Sequence, residues 1–87
     1  MKKVSIEWID SYSTDKWMEN ADAISQFKKL MTITSVGMIL YDDNKCVVLC
    51  QSIEDGGNIS GLLHIPKVAV VKITEINDNH TNCLNIQ

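Results

Sequence analysis

The chain has 87 residues, with eight lysines, eleven acidic residues and no arginine, and its formal net charge is −3 at pH 7. A chain of this length forms one domain with a small core, so a deep cleft would need a second chain. General nucleic-acid binders carry a basic surplus, and arginine supplies the bidentate grip on phosphate that lysine lacks. The composition therefore weighs against an ordinary nucleic-acid binder.

From the first residues and the apolar runs of the sequence we expect neither a secretion signal nor a membrane span. The opening Met-Lys-Lys is basic, but Glu7 and Asp10 interrupt the apolar run that a signal peptide needs. The longest uncharged run, residues 30–41, has about half the length that crosses a bilayer. We expect a soluble, cytoplasmic protein with no membrane partner.

Residues 3–10 alternate between apolar and polar side chains. Val4, Ile6 and Trp8 fall on one face of an extended chain, which predicts a half-buried strand. Trp8 on that face is expected to belong to the core rather than to stack on a base.

Helical spacing follows the first strand. From Trp17 onward, apolar residues recur at intervals of three and four, which predicts a helix over about 15–31. In the alternative, Asn20 caps a shorter helix over about 21–30, and residues 11–19 form a loop.

The second half of the chain is rich in β-branched residues and short polar turns. It predicts four more strands, over residues 32–41, 46–53, 59–65 and 67–76. Pro66 marks a bend or an edge, because it has no backbone N–H for a ladder. Residues 77–87 are rich in asparagine, and we expect a flexible tail after a single domain over 1–76.

The element order is therefore β-α-β-β-β-β, a mainly β (α+β) chain with one helix. Five short strands with a bend near the end predict a small, strongly curved barrel of the SH3-like or Sm-like type. A sheet this small leaves edge strands unpaired, so we expect a homo-oligomer joined edge to edge.

The sequence holds no recognisable catalytic or metal-binding motif, and we expect no enzyme, cofactor or metal. Asp42 and Asp43 are adjacent acids on a turn, where a solvated turn is favoured over a cation site. The glycine-rich residues 56–61 fit a wide hairpin turn better than an anion-binding nest. Enzymatic activity would need residues that converge across subunits.

Three cysteines, Cys46, Cys50 and Cys83, make an odd number. On a strand, Cys46 and Cys50 lie about 13 Å apart, which is too far for a disulfide. We expect reduced thiols that pack as small apolar side chains.

The hairpin and the last strand resemble the Sm-like (Hfq-like) family of small β-barrels. Residues 37–49, Gly-Met-Ile-Leu-Tyr-Asp-Asp-Asn-Lys-Cys-Val-Val-Leu, are similar to the first Sm motif, and residues 65–73 are similar to the second. The chain also looks like short proteins of tailed phages and prophages, through residues 4–10, Val36-Gly37 and Ile-Pro-Lys at 65–67. The resemblance implies a ring-forming barrel and, for a phage-encoded chain, the host cytoplasm.

The chain departs from the family where Sm-like proteins contact RNA. Cys46 stands where eukaryotic Sm proteins have an asparagine, and Pro66-Lys67 stand where they have Arg-Gly. Hfq-type aromatic and histidine positions correspond to Pro66 and Val68. The helix also follows the first strand instead of preceding it. The barrel can therefore be shared while the RNA pocket is not.

Three side chains are the candidate ligand site on this resemblance: Lys45, His64 and Lys67. His64 points away from its apolar neighbours on an alternating strand, and the matching edge in Sm-like rings lines the pore. The first functional hypothesis is a non-enzymatic, self-associating module that binds a nucleic acid or nucleotide and interferes with a host process.

The second hypothesis is a protein-interaction module without a nucleic-acid ligand, whose partner is a host or phage protein. The acidic balance and the missing arginine favour it. Its docking face would comprise apolar residues of the helix region, Trp17, Phe27 and Met31.

Overall fold

A computed structural model describes residues 1–77 of the chain. The predicted flexible tail lies outside this part, except for Asn77. The described residues form seven strands, one α-helix and one 3-10 turn. The strands are β1 (Lys3–Asp10), β2 (Met31–Asp42), β3 (Cys46–Cys50), β4 (Ser52–Ile53), β5 (Ile59–Ser60), β6 (Leu63–Pro66) and β7 (Val70–Glu75). Helix α1 spans Asn20–Phe27, and the 3-10 turn spans Lys67–Ala69.

Five of the strands form one antiparallel sheet in the order β6-β3-β2-β1-β7, and β4 and β5 form a separate two-stranded hairpin. The prediction of a mainly β chain with one helix is confirmed. The five strands of the sheet also follow the predicted order. Within residues 1–77 the sheet stays open, because β6 and β7 lie at opposite edges and share no ladder.

The core lies on one face of this sheet, where alternating residues of neighbouring strands meet. Its fully buried members are Val4, Ile6, Val47, Leu49 and Ile65. Cys50 is also buried but does not belong to this cluster, because it follows Leu49 on β3 and adjacent strand residues point to opposite faces. Trp8 packs against this cluster, and its indole Nε1–H donates to Ser35 Oγ over 3.0 Å. A buried tryptophan needs such a partner for its N–H, so the hydrogen bond allows the ring to enter the core, as predicted.

Gly37 lets β2 and β3 approach closely beside the core. A Cβ built on Gly37 would lie 2.9 Å from the Cys50 carbonyl oxygen and 3.2 Å from Leu49 Cβ. Both distances are tighter than ordinary contacts, and both neighbours are held by the ladder or the core. Only a residue without a side chain fits at this position.

The helix is shorter than the predicted 15–31 and lies closer to the alternative, although it begins one residue earlier than 21 and ends at Phe27 instead of residue 30. α1 begins at Asn20, after Glu19 as its N-cap, and residues 11–19 form a loop. The apolar spacing that begins at Trp17 does not mark a buried helical face, because α1 packs on no core: none of its eight residues is buried.

The third and fourth predicted strands are each interrupted, and the last predicted strand begins later than expected. The strand predicted over 46–53 breaks at Gln51, and the one over 59–65 breaks at Gly61. Gly61 has φ of +71°, and a Cβ there would lie 2.8 Å from Gln51 Cβ. The last strand starts at Val70 instead of residue 67, because Lys67–Ala69 form the 3-10 turn after Pro66.

We expect Gly37→Ala to lower the free energy of unfolding by about 1–3 kcal/mol, because the added methyl overpacks a rigid contact. Urea unfolding followed by circular dichroism measures the change. Gly56→Ala is the matched control: its Cβ would meet only the flexible Glu54 carboxylate, at 3.3 Å. The explanation is wrong if the two variants are equally stable.

Candidate interaction site

Residues 11–30 leave the sheet after β1 and return to it at β2, and we call this segment the arm. α1 contacts the sheet only sparsely. The loop of the arm is tied to its helix by Tyr12, whose hydroxyl donates to the carbonyl oxygens of Lys29 (2.9 Å) and Gln26 (3.2 Å). Gln26 lies in the last turn of α1, where carbonyl groups lack intrahelical partners, and Lys29 follows the C-cap residue Lys28.

The rings of Tyr12 and Phe27 stack, with their centroids 4.9 Å apart and their planes inclined by 22°. The stack and the two hydrogen bonds together fix the loop against α1. The arm is therefore organised by its own contacts, although it has no buried core of its own.

A shallow groove of about 520 Å³ runs along the arm between the loop and the helix. Its apolar lining includes Tyr12, Trp17, Met18, Ala23 and Phe27. The side chain of Trp17 is fully exposed, at 102% of its reference area. A large apolar side chain in this state exposes an area that could be buried only by another molecule or by a movement of the arm.

The structure brings together two of the three predicted interface residues. Trp17 and Phe27 line the same groove, whereas Met31 is the first residue of β2 and pairs with Asp10 of β1. Tyr12 belongs to the groove but was not predicted. Its role depends on contacts with residues 14 and more positions away, which no local spacing reveals.

Of the three predicted ligand residues, His64 lies on the ladder between β3 and β6, and Lys45 and Lys67 lie just beyond its end. His64 pairs with Val48 and is exposed. The Lys67 amide donates to the Lys45 carbonyl oxygen over 2.8 Å, which places the two lysines next to each other at the end of this ladder.

The positive charge of this lysine pair is largely offset by the neighbouring acids. Lys67 Nζ lies 2.6 Å from Asp42 Oδ1, so the ammonium group that was predicted to meet an anion already has a carboxylate partner. Asp43 lies between Asp42 and Lys45 in the same turn. The local balance of two cations and two anions provides no strong field for phosphate.

Asp43 has a structural role that explains the turn between β2 and β3. Its Oδ1 accepts hydrogen bonds from the Lys45 amide (2.7 Å) and the Cys46 amide (2.9 Å), and its Oδ2 accepts one from the Tyr41 hydroxyl (2.8 Å). The Cys46 amide, the Tyr41 hydroxyl and the Lys45 amide lower the pKa of Asp43 to about 2. The hydrogen bond from the Tyr41 hydroxyl to Asp43, together with the negative charge of Asp43, raises the pKa of Tyr41. The predicted polar turn is thus closed by a carboxylate engaged in the fold rather than by a free pair of acids.

Cys46 and Cys50 are free thiols, as predicted, while Cys83 lies outside the described residues. Burial, followed by the negative charge of Asp43, raises the pKa of Cys46, so its thiol stays protonated and weakly nucleophilic at neutral pH. Residues 1–77 contain no group of three or more histidine, cysteine or acidic side chains placed to hold a metal ion.

The glycine-rich stretch folds as the turn of the β4–β5 hairpin. The Glu54 amide donates to the Asn58 carbonyl oxygen, and the Gly57 amide donates to the Glu54 carbonyl oxygen, each over 2.9 Å. The Glu54 and Gly57 amides are therefore used by the turn itself, which agrees with the hairpin interpretation of these residues.

We expect acid to weaken the fold through Asp43. Because its folded pKa of about 2 lies below the ordinary 3.8, its stabilising contribution is complete above pH 4 and is lost as the pH falls toward 2. Asp43→Asn keeps an oxygen that can accept the amide hydrogen bonds, so its urea midpoint should change less between pH 5 and pH 2 than that of the native chain.

Urea titrations at a series of pH values measure this difference. Asp55→Asn, in the exposed β4–β5 turn, is the control and should follow the native pH profile. Identical profiles for the native chain and Asp43→Asn would show that the turn carboxylate does not contribute.

No family model, no curated protein and no solved structure matches the chain. In the part of the chain that the structure describes, no helix has the length and apolar character needed to cross a membrane.

Proposed function

We propose that this chain is a small protein-interaction module that docks a partner protein in the groove of its arm. The observation that carries the proposal is the fully exposed Trp17 beside the preformed Tyr12–Phe27 stack. Exposure of an indole to water is costly, and a monomer gains nothing from holding it on an arm outside the core.

The groove has the physical features of a binding hot spot. Tryptophan and tyrosine dominate such sites because each buries a large apolar area with few rotatable bonds. Burial of about 200 Å² of an indole at roughly 25 cal/mol per Å² is worth on the order of 5 kcal/mol before the costs of association. Because Tyr12 already orders the loop, less conformational entropy would be lost when a partner binds.

Separation of the arm from the core is what makes it suited to docking. Among residues 1–77, the buried side chains lie in the sheet, and the arm contributes none of them. The groove can therefore change its packing on a partner without disturbing the core. A host or phage protein is the partner class that the resemblance suggests.

We further propose that the sheet is an open relative of the Sm-like or SH3-like barrels. What supports this is the connectivity: a first strand, a meander of β2, β3 and β6, a 3-10 turn, and a last strand that returns to pair with β1. A small barrel of this kind serves as a scaffold for many binding surfaces, and the function depends on the surface that is added.

A nucleic-acid or nucleotide ligand is the second candidate, because Lys45 and Lys67 do lie next to each other at the end of the β3–β6 ladder. The ion pair of Lys67 with Asp42 works against it. Asp42→Asn should release the Lys67 ammonium and raise the affinity for labelled oligo-U at low salt several-fold above that of the native chain.

Fluorescence anisotropy at two salt concentrations measures this effect, with Asp55→Asn as the matched removal of a distant acid. We expect weak and salt-sensitive binding by the native chain. Tight native binding to oligo-U or oligo-A that survives high salt would favour the nucleic-acid function over protein docking.

The docking proposal predicts that Trp17→Ala leaves the urea midpoint unchanged but weakens partner binding at least tenfold, because a central aromatic anchor is lost. Val68→Ala is the control, since Val68 is equally exposed (98%) but lies on the 3-10 turn. Proteins retained from an extract of the encoding organism by the native chain and by Val68→Ala, but not by Trp17→Ala, are the candidate partners.

Binding of a purified candidate to the three chains is then measured by calorimetry. Equal affinity for the native chain and Trp17→Ala would contradict docking at the groove. Loss of binding in Val68→Ala as well would place the contact elsewhere on the molecule.

A further inference from the structure

The two edges of the sheet differ in the backbone groups that they present. The Ile76 amide donates to the Lys3 carbonyl oxygen over 2.8 Å, which continues the register of β1 with β7. Hydrogen-bonded and non-bonded pairs alternate along an antiparallel ladder. The N–H and C=O groups of Ile73 and Glu75 therefore point away from β1, toward the outer edge.

The same alternation shows that β6 is a poor edge for pairing. The Lys67 amide bonds the Lys45 carbonyl, so His64 and Pro66 are the residues whose backbone groups point outward. Pro66 has no N–H to donate. β6 has four residues, against six in β7, which contains no proline.

We propose that β7 pairs with β7 of a second copy of this chain, antiparallel and centred on Ile73. In this register Ile73 faces Ile73 of the other copy, Val71 faces Glu75, and Lys72 faces Thr74. The outward groups of Ile73 then bond one another across the two-fold axis. Antiparallel pairing of one strand with itself places side chains of the same face together, as a symmetric dimer requires.

Charge favours the register centred on Ile73 over the register centred on Glu75. Pairing centred on Glu75 would also match the outward backbone groups, but it would place two glutamates directly opposite each other, which is destabilising. Pairing centred on Ile73 instead joins two apolar side chains, each 39% exposed in the single chain.

Substitutions at Val71 can strengthen or weaken the proposed contact between the two β7 strands. β1 pairs Glu7 with Lys72 and Trp8 with Val70, so Val71 falls in a bulge and has no opposite residue on β1. Its side chain is 58% exposed. In the dimer it lies across from Glu75, and the two-fold axis repeats the contact.

Opposite charges at position 71 test the register. Val71→Glu should weaken the dimer roughly 3- to 10-fold because it faces Glu75 twice, and Val71→Lys should strengthen it by a similar factor at low salt. Val68→Glu and Val68→Lys are the matched controls, at an exposed position on the 3-10 turn that lies outside the paired strand. Circular dichroism checks that each variant keeps its sheet.

Sedimentation equilibrium of the full chain from about 10 µM to 1 mM measures the association. The native chain should show a monomer–dimer equilibrium in this range, since a contact of one strand pair is small. A native chain that stays monomeric at 1 mM overturns the proposal. It is also overturned if both Val71 variants shift the equilibrium in the same direction, or if the Val68 pair shifts it as much.

Discussion

The two ladders of β1 are the constraint on which the rest of the described fold depends. β1 pairs along its whole length with β2 and from Val4 to Trp8 with β7, and its inward residues Val4 and Ile6 are buried against β3 and β6. Gly37 lies opposite Val4 and gives β2 the close approach to β3 that brings Val47 and Leu49 over the same core. Loss of either ladder would separate the two halves of this small cluster.

Because the core is concentrated in the sheet, the segments outside it are free to carry function. The arm is inserted between two paired strands, so its ends are fixed by the β1–β2 ladder, while its groove faces outward. The β7 edge is likewise a consequence of the open sheet. A chain of 87 residues has little interior to shape into a cleft, and exposed surfaces of this kind are what it can offer a partner.

The sequence predicted the features that local chemistry determines. The turn at 42–45 follows from an aspartate that can accept its own following amides, and the alternation of Val4, Ile6 and Trp8 follows from one buried face. The length of α1 was overestimated because apolar spacing at Trp17 indicates a face but not what covers it. Gly61 lies against the side chain of Gln51, ten residues away, and the ring of Tyr12 stacks on that of Phe27. Such contacts between distant residues leave no pattern in the sequence.

For the predicted ligand residues, too, the sequence predicted the local features but not the contact between distant residues. Strand alternation placed His64 outward, and the hairpin brought Lys45 near Lys67, but the ion pair of Lys67 with Asp42 arises from tertiary contact. That one contact changes a basic site into a nearly neutral one. This ion pair is the reason that the proposed function rests on the aromatic arm and not on the lysines.

Residue-resolved hydrogen exchange of the native chain tests the central claim that a cooperative sheet carries a separately organised arm. We expect the ladder amides of β1, such as that of Ser5, to exchange only through global unfolding. The amide of Ala23 in α1 and that of the C-cap residue Lys28 donate to the Glu19 and Ile24 carbonyls, and they should exchange through local opening at least a hundredfold faster. Equal protection of α1 and β1 would contradict the account, since it would mean that the arm is part of the core unit.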